Sequence, residues 1–269
     1  MNLKIVVLAK QVPDTRNVGK DAMTAEGTVN RAALPAIFNP EDLNALEQAL
    51  RLKEQNPGST VGILTMGPPR AAEIIRQGLY RGADTGWLLT DRLFAGADTL
   101  ATSYALATAI KKIGGVDIVI GGRQAIDGDT AQVGPQIAEK LHLPQVTYAA
   151  DIQKDGDTIT VKRMLEDGYM TIKVKTPCLI TCIKELNEPR YMSVGGVFEA
   201  YGKPMTTYDY EALKDDPLID ATTIGLKGSP TNIFKSFTPP QKGAGMMLEG
   251  ADKATCEKLA DILAKKHII

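Results

Sequence analysis

Histidine and cysteine are scarce in this sequence, and each scarcity removes a class of function. Two histidines, His142 and His267, cannot build a typical histidine-rich metal centre, and neither sits where a general base would be recognised. His142 stands behind a helical pattern and before Leu143-Pro144, so it reads as a helix-end residue. The cysteines are Cys178, Cys182 and Cys256. An odd number with no CxxC pair argues against a secreted disulfide framework and for a reducing, cytoplasmic setting. Cys178 and Cys182 lie in a mostly apolar run and read as buried or half-buried structural thiols. No apolar run reaches the ~18 residues of a membrane span. The start Met1-Asn2-Leu3-Lys4 lacks a charged region followed by a long apolar one, so no signal peptide is expected. A dominant charge is missing too: 31 Lys+Arg face 32 Asp+Glu, for a net charge of −1. That balance offers no general basic field for nucleic acid and no polybasic membrane footprint. Any charged ligand must be held locally. No Ser/His/Asp arrangement or other nucleophile is visible, so no catalytic residue is expected; this favours a chain that holds a cofactor over one that does side-chain chemistry.

What is there is a repeating α/β pattern. The 269 residues suffice for one large domain with an appendage, or two small ones, with a core that needs no disulfide or metal. Leu3 to Ala9 is a short, nearly continuous apolar run, as a buried parallel strand would be. Val61 to Thr65, Trp87 to Leu89 and Ile118 to Ile120 repeat the type. Helical spacings lie between and after them: Leu43, Leu46 and Leu50; Ala72, Ile75 and Leu79; Leu106, Ile110 and Ile113; Val133, Ile137 and Leu141. Asn39-Pro40-Glu41 opens the first of these with a capping Asn, a first-turn Pro and an acid near the positive helix end. The alternation predicts a doubly wound, mostly parallel, Rossmann-like α/β sheet, with its ligand along the edge formed by the strand ends.

Beyond Pro144 the pattern changes. Turns near Asp155-Gly156-Asp157 and Glu166-Asp167-Gly168 flank alternating strands at Thr158 to Lys162 and Thr171 to Val174, an antiparallel hairpin extension of the sheet. Leu179 to Ile183 reads as one more buried strand. From Asn187 the chain looks irregular, and Gly225 to Gly245 is rich in Gly, Pro, Ser and Thr. Asp252 to Ile269 reads as an amphipathic helix with Cys256, Leu259, Ile262 and Leu263 on one side. Such a C-terminal arm either docks on something outside its own domain or packs back on its own sheet.

The most informative stretch runs from Gly121 to Pro135, after a predicted strand and into a predicted helix. Its glycines let backbone N–H groups approach a ligand, and the helix start adds free donors and partial positive charge for phosphate. Asp129 or Thr130 can cap that helix and Arg123 can pair with phosphate. Gly128, Ala131 and Gly134, three apart, leave a bare groove. The stretch is neither GxGxxG nor a P-loop. Physical chemistry leaves two readings, a phosphate or nucleotide site and an ordinary strand-to-helix loop. Ala9-Lys10-Gln11, Thr65-Met66-Gly67 and Asn39 to Asp42 would border the same edge; capping (Asn39, Asp42) and core packing (Met66) are the alternatives for their side chains.

At these residues the sequence resembles the beta subunit of electron-transfer flavoproteins, over nearly the whole chain. The resemblance rests on Val6 to Asp14, Phe38 to Asp42, Gly82-Ala83-Asp84, Gly122 to Pro135, Val161 to Gly168, Pro177 to Thr181, Glu188 to Tyr191, Gly228 to Thr231 and Lys235 to Pro239. It implies a heterodimer with an alpha subunit that carries FAD. It implies residues 1–225 as a nucleotide-binding domain and residues 226–269 as an arm and helix docking on that subunit. The nucleotide would be held by Ala9, Asn39, Asp42, Met66, Gly122, Arg123, Asp127, Gly128, Asp129, Thr130, Gln132, Val133, Gly134 and Thr231. In one branch of the family it is a structural AMP. In the other it is a second FAD that accepts a hydride from NADH and splits the electrons between an acyl-CoA-type dehydrogenase and a low-potential acceptor such as ferredoxin. The second branch reads Gly-Asp-Thr-x-Gln-Val-Gly-Pro, which this chain has at Gly128 to Pro135. The resemblance also implies partner docking through Arg190, Val194, Val197 and Phe198. Arg163 and Glu166 are read as holding the signature hairpin.

Overall fold

The computed structural model describes residues 2–14, 35–231 and 243–269. Met1 and the Lys235 to Pro239 motif lie outside the described residues. The chain begins with β1 (Lys4–Leu8), a short ribbon of β2 (Gln11–Pro13) and β3 (Ala36–Phe38), then α1 (Pro40–Gln55) and β4 (Thr60–Met66). It continues through α2 (Ala72–Arg81), β5 (Thr85–Leu89), α3 (Thr99–Ile113), β6 (Ile118–Gly122) and α4 (Val133–Leu141). There follow β7 (Gln145–Asp155), β8 (Thr158–Met164), β9 (Tyr169–Lys175) and β10 (Cys178–Cys182). The last elements are α5 (Val194–Ala200), β11 (Met205–Tyr208), α6 (Tyr210–Leu213) and α7 (Lys253–Lys265).

Nine strands form one sheet in the order β11-β5-β4-β1-β6-β10-β7-β8-β9. All pairings from β11 to β7 are parallel; β7-β8 and β8-β9 are antiparallel. The doubly wound expectation and its hairpin extension are both present. Successive strand residues serve opposite faces, as the pleat requires. Ile5 and Val7 pack with Leu46 and Leu50 of α1 and Ile75 and Leu79 of α2. Val6 between them packs with Leu106 and Ile110 of α3 and Ile137 of α4. This two-sided burial explains why the strands read as continuous apolar runs.

The winding reverses between β1 and β6. From β1 the chain runs outward to β4 and β5 with α1 and α2 on one face, then crosses back through α3 to β6. Where a parallel sheet reverses, the strand C-termini diverge and leave a crevice. Ala9-Lys10 follows the end of β1 there, and Gly122-Arg123 the end of β6.

Two local features differ from the sequence reading. The stretch after Asn187 is not wholly irregular: it contains α5 and β11, which adds a parallel edge strand beside β5. Alternation is hard to see in Met205–Tyr208 because three of its four residues are exposed. The β2–β3 ribbon was also missed, being three residues a side and separated by a long stretch of chain. His142 does end a helix, with a left-handed φ of 53° at the C-cap of α4.

Candidate functional site

The reversal point is built around the N-terminus of α1. Asn39 stands at the N-cap position but makes no side-chain cap. Its side chain faces the other way: Nδ2 donates to the Gln124 carbonyl at 2.9 Å and Oδ1 accepts the Ile126 N–H at 3.1 Å. The expected capping role is therefore corrected. Pro40 at the first helical position has no N–H to satisfy, which lowers the need for a cap and frees Asn39 to hold the loop.

Asp42, buried in the first turn of α1, accepts the Lys10 N–H on Oδ2 and the Gly122 N–H on Oδ1, both at 2.9 Å. It thus clasps the chain leaving β1 to the chain leaving β6. Burial pushes its carboxyl up to about 7, against the pull of the Lys10 N–H, the Asn39 side chain and the Gly122 N–H; the nearby Glu41 adds to the rise. Glu41 accepts the Gln124 N–H at 3.1 Å and pairs with Arg123 Nη2 at 2.9 Å. Burial raises its carboxyl as well, opposed by the Gln124 N–H and the Arg123 charge. Lys10 Nζ meets Asp127 Oδ1 at 2.7 Å. Within the loop, Gln124 Nε2 donates to Asp129 Oδ1 at 2.8 Å, and the Ala125 carbonyl accepts the Gly128 and Asp129 N–H groups. The strand-to-helix loop is therefore preorganised by its own chain.

These contacts revise several expectations. Arg123 is engaged with Glu41, and its guanidinium lies 5.6 Å from the Tyr148 ring centroid. Gly122 is bare to admit α1: a Cβ there would lie 2.5 Å from Asp42 Oδ1 and 2.7 Å from Glu41 Cβ. Gly134 is bare to let α4 approach β10, where a Cβ would lie 2.7 Å from Thr181 Cγ2. The bare groove of three small residues is thus not continuous: only Gly128 opens onto free space, with nothing within 4 Å of a Cβ. Neither Asp129 nor Thr130 caps α4; its N-cap is Gln132, without a side-chain cap. Asp129 and Ala131 take left-handed φ values of 48° and 53°, which carry the chain out and back before Val133 begins the helix.

The remaining sequence-selected residues gather on the same edge. Ala9 is buried and bonds the Leu64 carbonyl through its N–H. Met66, half-buried at the end of β4, packs on the α3 side of the core. Gln132 Oε1 accepts from Thr99 Oγ1 at 2.9 Å, linking the starts of α4 and α3. Asp98 caps α3 through the Ala101 N–H and also accepts the Thr231 N–H at 3.1 Å, which brings Thr231 to this edge. Sequence reasoning placed Lys10 on this edge without giving its side chain a role, and it did not single out Asp98 or Thr99. Asp98-Thr99 is an ordinary capping pair, and its second task depends on a contact 133 residues away. Cys182 lies beneath the site; burial, then the charges of Asp42 and Glu41, drive its thiol far up. Cys178 is pushed up to about 12 by burial, so both are inert core thiols, as expected.

A second surface lies at α5. The expected loop at Val194 to Phe198 is a helix capped by Ser193, whose Oγ accepts the Gly196 N–H at 2.9 Å. Val194 is 77% exposed and Phe198 72%, while Val197 turns inward and is half-buried. Tyr191, before the helix, and Tyr201, at its C-cap, are also exposed, and with Val194 and Phe198 they recur every three or four residues along the chain. That spacing was present in the sequence, but Gly195-Gly196 hid it, since two adjacent glycines argue against a helix. Arg190 is held inside the chain by Glu47 and Glu54. Arg163, at the end of β8, has a buried Nε without a hydrogen-bond partner, and Glu166 lies in the exposed β8–β9 turn, so no pair between them stands out. Far along the chain α7 is present as expected, capped by Asp252, with none of its residues buried.

Among the described residues no cluster of His, Cys, Asp or Glu could hold a metal ion, and no helix is long and apolar enough to cross a membrane. The edge therefore offers a loop fixed by side chains of its own chain, an uncapped helix start and one open glycine.

A family model for the electron transfer flavoprotein domain matches residues 26–212. The acryloyl-CoA reductase electron transfer subunit gamma of Anaerotignum propionicum is 59% identical over 99% of this chain and 100% of its own. The caffeyl-CoA reductase-Etf complex subunit CarD of Acetobacterium woodii is 52% identical, again over 99% of this chain and 100% of its own. The electron transfer flavoprotein subunit beta of Clostridium acetobutylicum is 49% identical with the same coverage. With the doubly wound sheet and its reversal-point loop, these matches show that the chain belongs to the electron transfer flavoprotein family, as a beta-type subunit.

Proposed function

We propose that this subunit holds an adenine nucleotide, FAD rather than AMP, at the loop from Gly122 to Gly134, and works with an FAD-carrying alpha subunit. The observation that carries the reading is the start of α4: an uncapped helix N-terminus beside Gly128, the one glycine of the loop that faces open space. Free N–H groups and the positive end of a helix favour a phosphate. The open position at Gly128 leaves room for a pyrophosphate to continue past the AMP position.

In this reading Asn39, Asp42, Glu41 and Lys10 do not touch the nucleotide. They fix the loop so that its backbone donors face outward before any ligand arrives, which lowers the ordering cost of binding. Gln132 and Thr231 border the nucleotide from the α3 side. A bound FAD would supply hydride acceptance from NADH and release of electrons to two acceptors: an acyl-CoA-type dehydrogenase, in keeping with the names of the acryloyl-CoA and caffeyl-CoA reductase relatives, and a low-potential carrier such as ferredoxin. Val194, Phe198 and the adjoining tyrosines of α5 form the surface for that dehydrogenase. Residues 226–269, with the exposed face of α7, serve the alpha subunit. The setting is cytoplasmic.

Gly128→Leu tests this. A Cβ there meets nothing within 4 Å and the position is exposed, so the fold should tolerate the change, while the space past the AMP position is filled. The heterodimer should keep the alpha-subunit flavin and lose the second, read as flavins per dimer after denaturation. An unchanged count would sink the proposal. AMP in place of a second flavin in the wild-type heterodimer would support the structural-nucleotide branch.

A further inference from the structure

The segment that leads into α5 is fastened to α1 by a dense set of polar contacts. Asn44, buried in α1, donates Nδ2 to the Asn187 carbonyl at 2.6 Å, and Asn187 Nδ2 donates back to the Asn44 carbonyl at 3.1 Å. One turn on, Glu47 Oε2 accepts the Arg190 N–H at 3.1 Å and Arg190 Nε at 2.7 Å. Two turns beyond Glu47, Glu54 takes the Nη1 and Nη2 side of the same guanidinium. The Arg190 carbonyl in turn accepts from Arg81 Nε of α2 at 3.2 Å. Burial raises the Glu47 carboxyl, but the hydrogen bonds from Arg190 and Arg51 outweigh it and hold it below the usual range. The hydrogen bond from Arg190 does the same for Glu54.

Arg190 is thus occupied within its own chain, whereas the resemblance placed it among partner contacts. The helix it precedes has little means of orienting itself. Seven residues with two adjacent glycines make a weak helix. Gly196 rests so closely on α2 that a Cβ there would lie 2.2 Å from the Tyr80 carbonyl oxygen. Gly196 and the buried Ala200 seat α5 on α2, and the segment before the helix fixes the angle of its exposed start at Val194.

We propose that Arg190 is a positioning residue. Gripped by Glu47 and Glu54, it sets the angle at which α5 presents Val194 and Phe198, and so governs docking of an electron-accepting or electron-donating partner enzyme without touching it. This rests on the reading of α5 as the docking surface.

The test uses the heterodimer with its alpha subunit and a purified acryloyl-CoA reductase as partner, reading the KM for the heterodimer. Arg190→Gln, which frees both carboxylates, should raise KM by about 10-fold; Glu47→Gln, which leaves Glu54 on the guanidinium, should raise it by a smaller factor, and the double variant should raise it no further than Arg190→Gln alone. Arg190→Lys, which keeps the charge but not the two-sided grip, should recover part of the loss. Bound nucleotide per heterodimer should stay constant in all four. If Arg190 instead touched the partner, Glu47→Gln would leave KM unchanged or lower it while Arg190→Gln raised it, and the proposal would be overturned. Should Glu47→Gln fail to fold, the more exposed Glu54→Gln takes its place: a raised KM supports the proposal and an unchanged one overturns it. Phe198→Ala separates the two layers of argument. Its KM must rise if α5 docks the partner at all; if it does not, the docking assignment falls, whatever Arg190 does.

Discussion

Asp42 Oδ1 accepts the N–H of Gly122 at 2.9 Å, and that single contact closes the crevice where the sheet reverses. With its other oxygen on Lys10, Asp42 takes a position that a ligand carboxylate or phosphate would otherwise occupy. In the proposed reading the nucleotide lies further along the loop, toward Gly128 and the start of α4. Charge-assisted bonds to two backbone donors also explain how a carboxyl can be buried here, since an unpaired one would cost several kcal/mol.

Gly122→Ala should be destabilising. Two of the atoms its methyl would meet, Glu41 Cβ at 2.7 Å and Glu41 C at 2.8 Å, belong to the first turn of α1 and cannot swing aside. Over-packing of this kind costs about 1–3 kcal/mol. The displaced α1 would also release Asn39 and Glu41 from the loop, so bound nucleotide should fall with Tm. A variant with wild-type Tm and full nucleotide content would contradict this account.

Asp42 should leave a signature in the pH dependence of stability. Its carboxyl is raised to about 7 in the folded chain, burial being the main cause, from 3.8. Between those values the folded state holds a proton that the unfolded chain has released. The group's contribution is therefore full below pH 3.8 and is lost as pH climbs to 7, at up to about 1.4 kcal/mol per pH unit. Asp42→Asn removes this slope, although its amide leaves one N–H donor facing another and costs about 1–3 kcal/mol at acid pH. Urea unfolding at several pH values from 4.5 to 7.5 should show the gap between wild type and variant narrowing as pH rises; a constant gap would rule the titration out.

The sheet was legible in the sequence because strands buried on both faces leave apolar runs such as Leu3 to Ala9, and α1 to α4 repeat their apolar residues at helical spacing. The edge that carries the candidate loop was legible for a related reason: a glycine-rich strand-to-helix stretch can only fall on the strand C-terminal edge. Side-chain roles were not. Asn39 before Pro40 is an ideal cap by pattern, yet its partners are Gln124 and Ile126, more than eighty residues on. The pairing of Arg123 with Glu41 was not legible either, since Glu41 is far away in sequence and near only once α1 packs on β6. α5 was hidden by Gly195-Gly196; the reason for Gly196 lies in the Tyr80 carbonyl of α2, while nothing lies within 4 Å of a Cβ at Gly195.

Ala131→Gly should stabilise the loop. Ala131 holds a φ of 53°, a left-handed conformation that costs an alanine about 1–2 kcal/mol. Glycine removes that strain but adds about 0.5–1 kcal/mol of unfolded-state entropy to be lost. The net expectation is a gain of up to ~1 kcal/mol, seen as a slightly higher Tm. A clear loss would mean that the alanine methyl makes a contact worth more than the strain.

Arg190→Gln should weaken the fold in a way that depends on acid. Glu47 is buried, and removing its partner leaves a carboxylate with only Arg51 to face it. A fully buried broken pair costs about 3–5 kcal/mol. Arg190 is 32% exposed and Glu54 58%, so screening reduces the figure here to about 1–3 kcal/mol. The sign follows from the carboxyls: both lie below 4.5 in the folded chain, Glu47 because its arginine bonds outweigh burial and Glu54 because of Arg190. Their contribution is present above pH 4.5 and is lost as pH falls through the lower folded values. Wild type and Arg190→Gln should therefore differ most near neutrality and converge in acid, and salt should shrink the Glu54 share before the Glu47 share. Denaturation curves at pH 7 and pH 3.5 check this; a difference that persists undiminished at pH 3.5 would mean that Arg190 stabilises by packing its aliphatic stem rather than by charge.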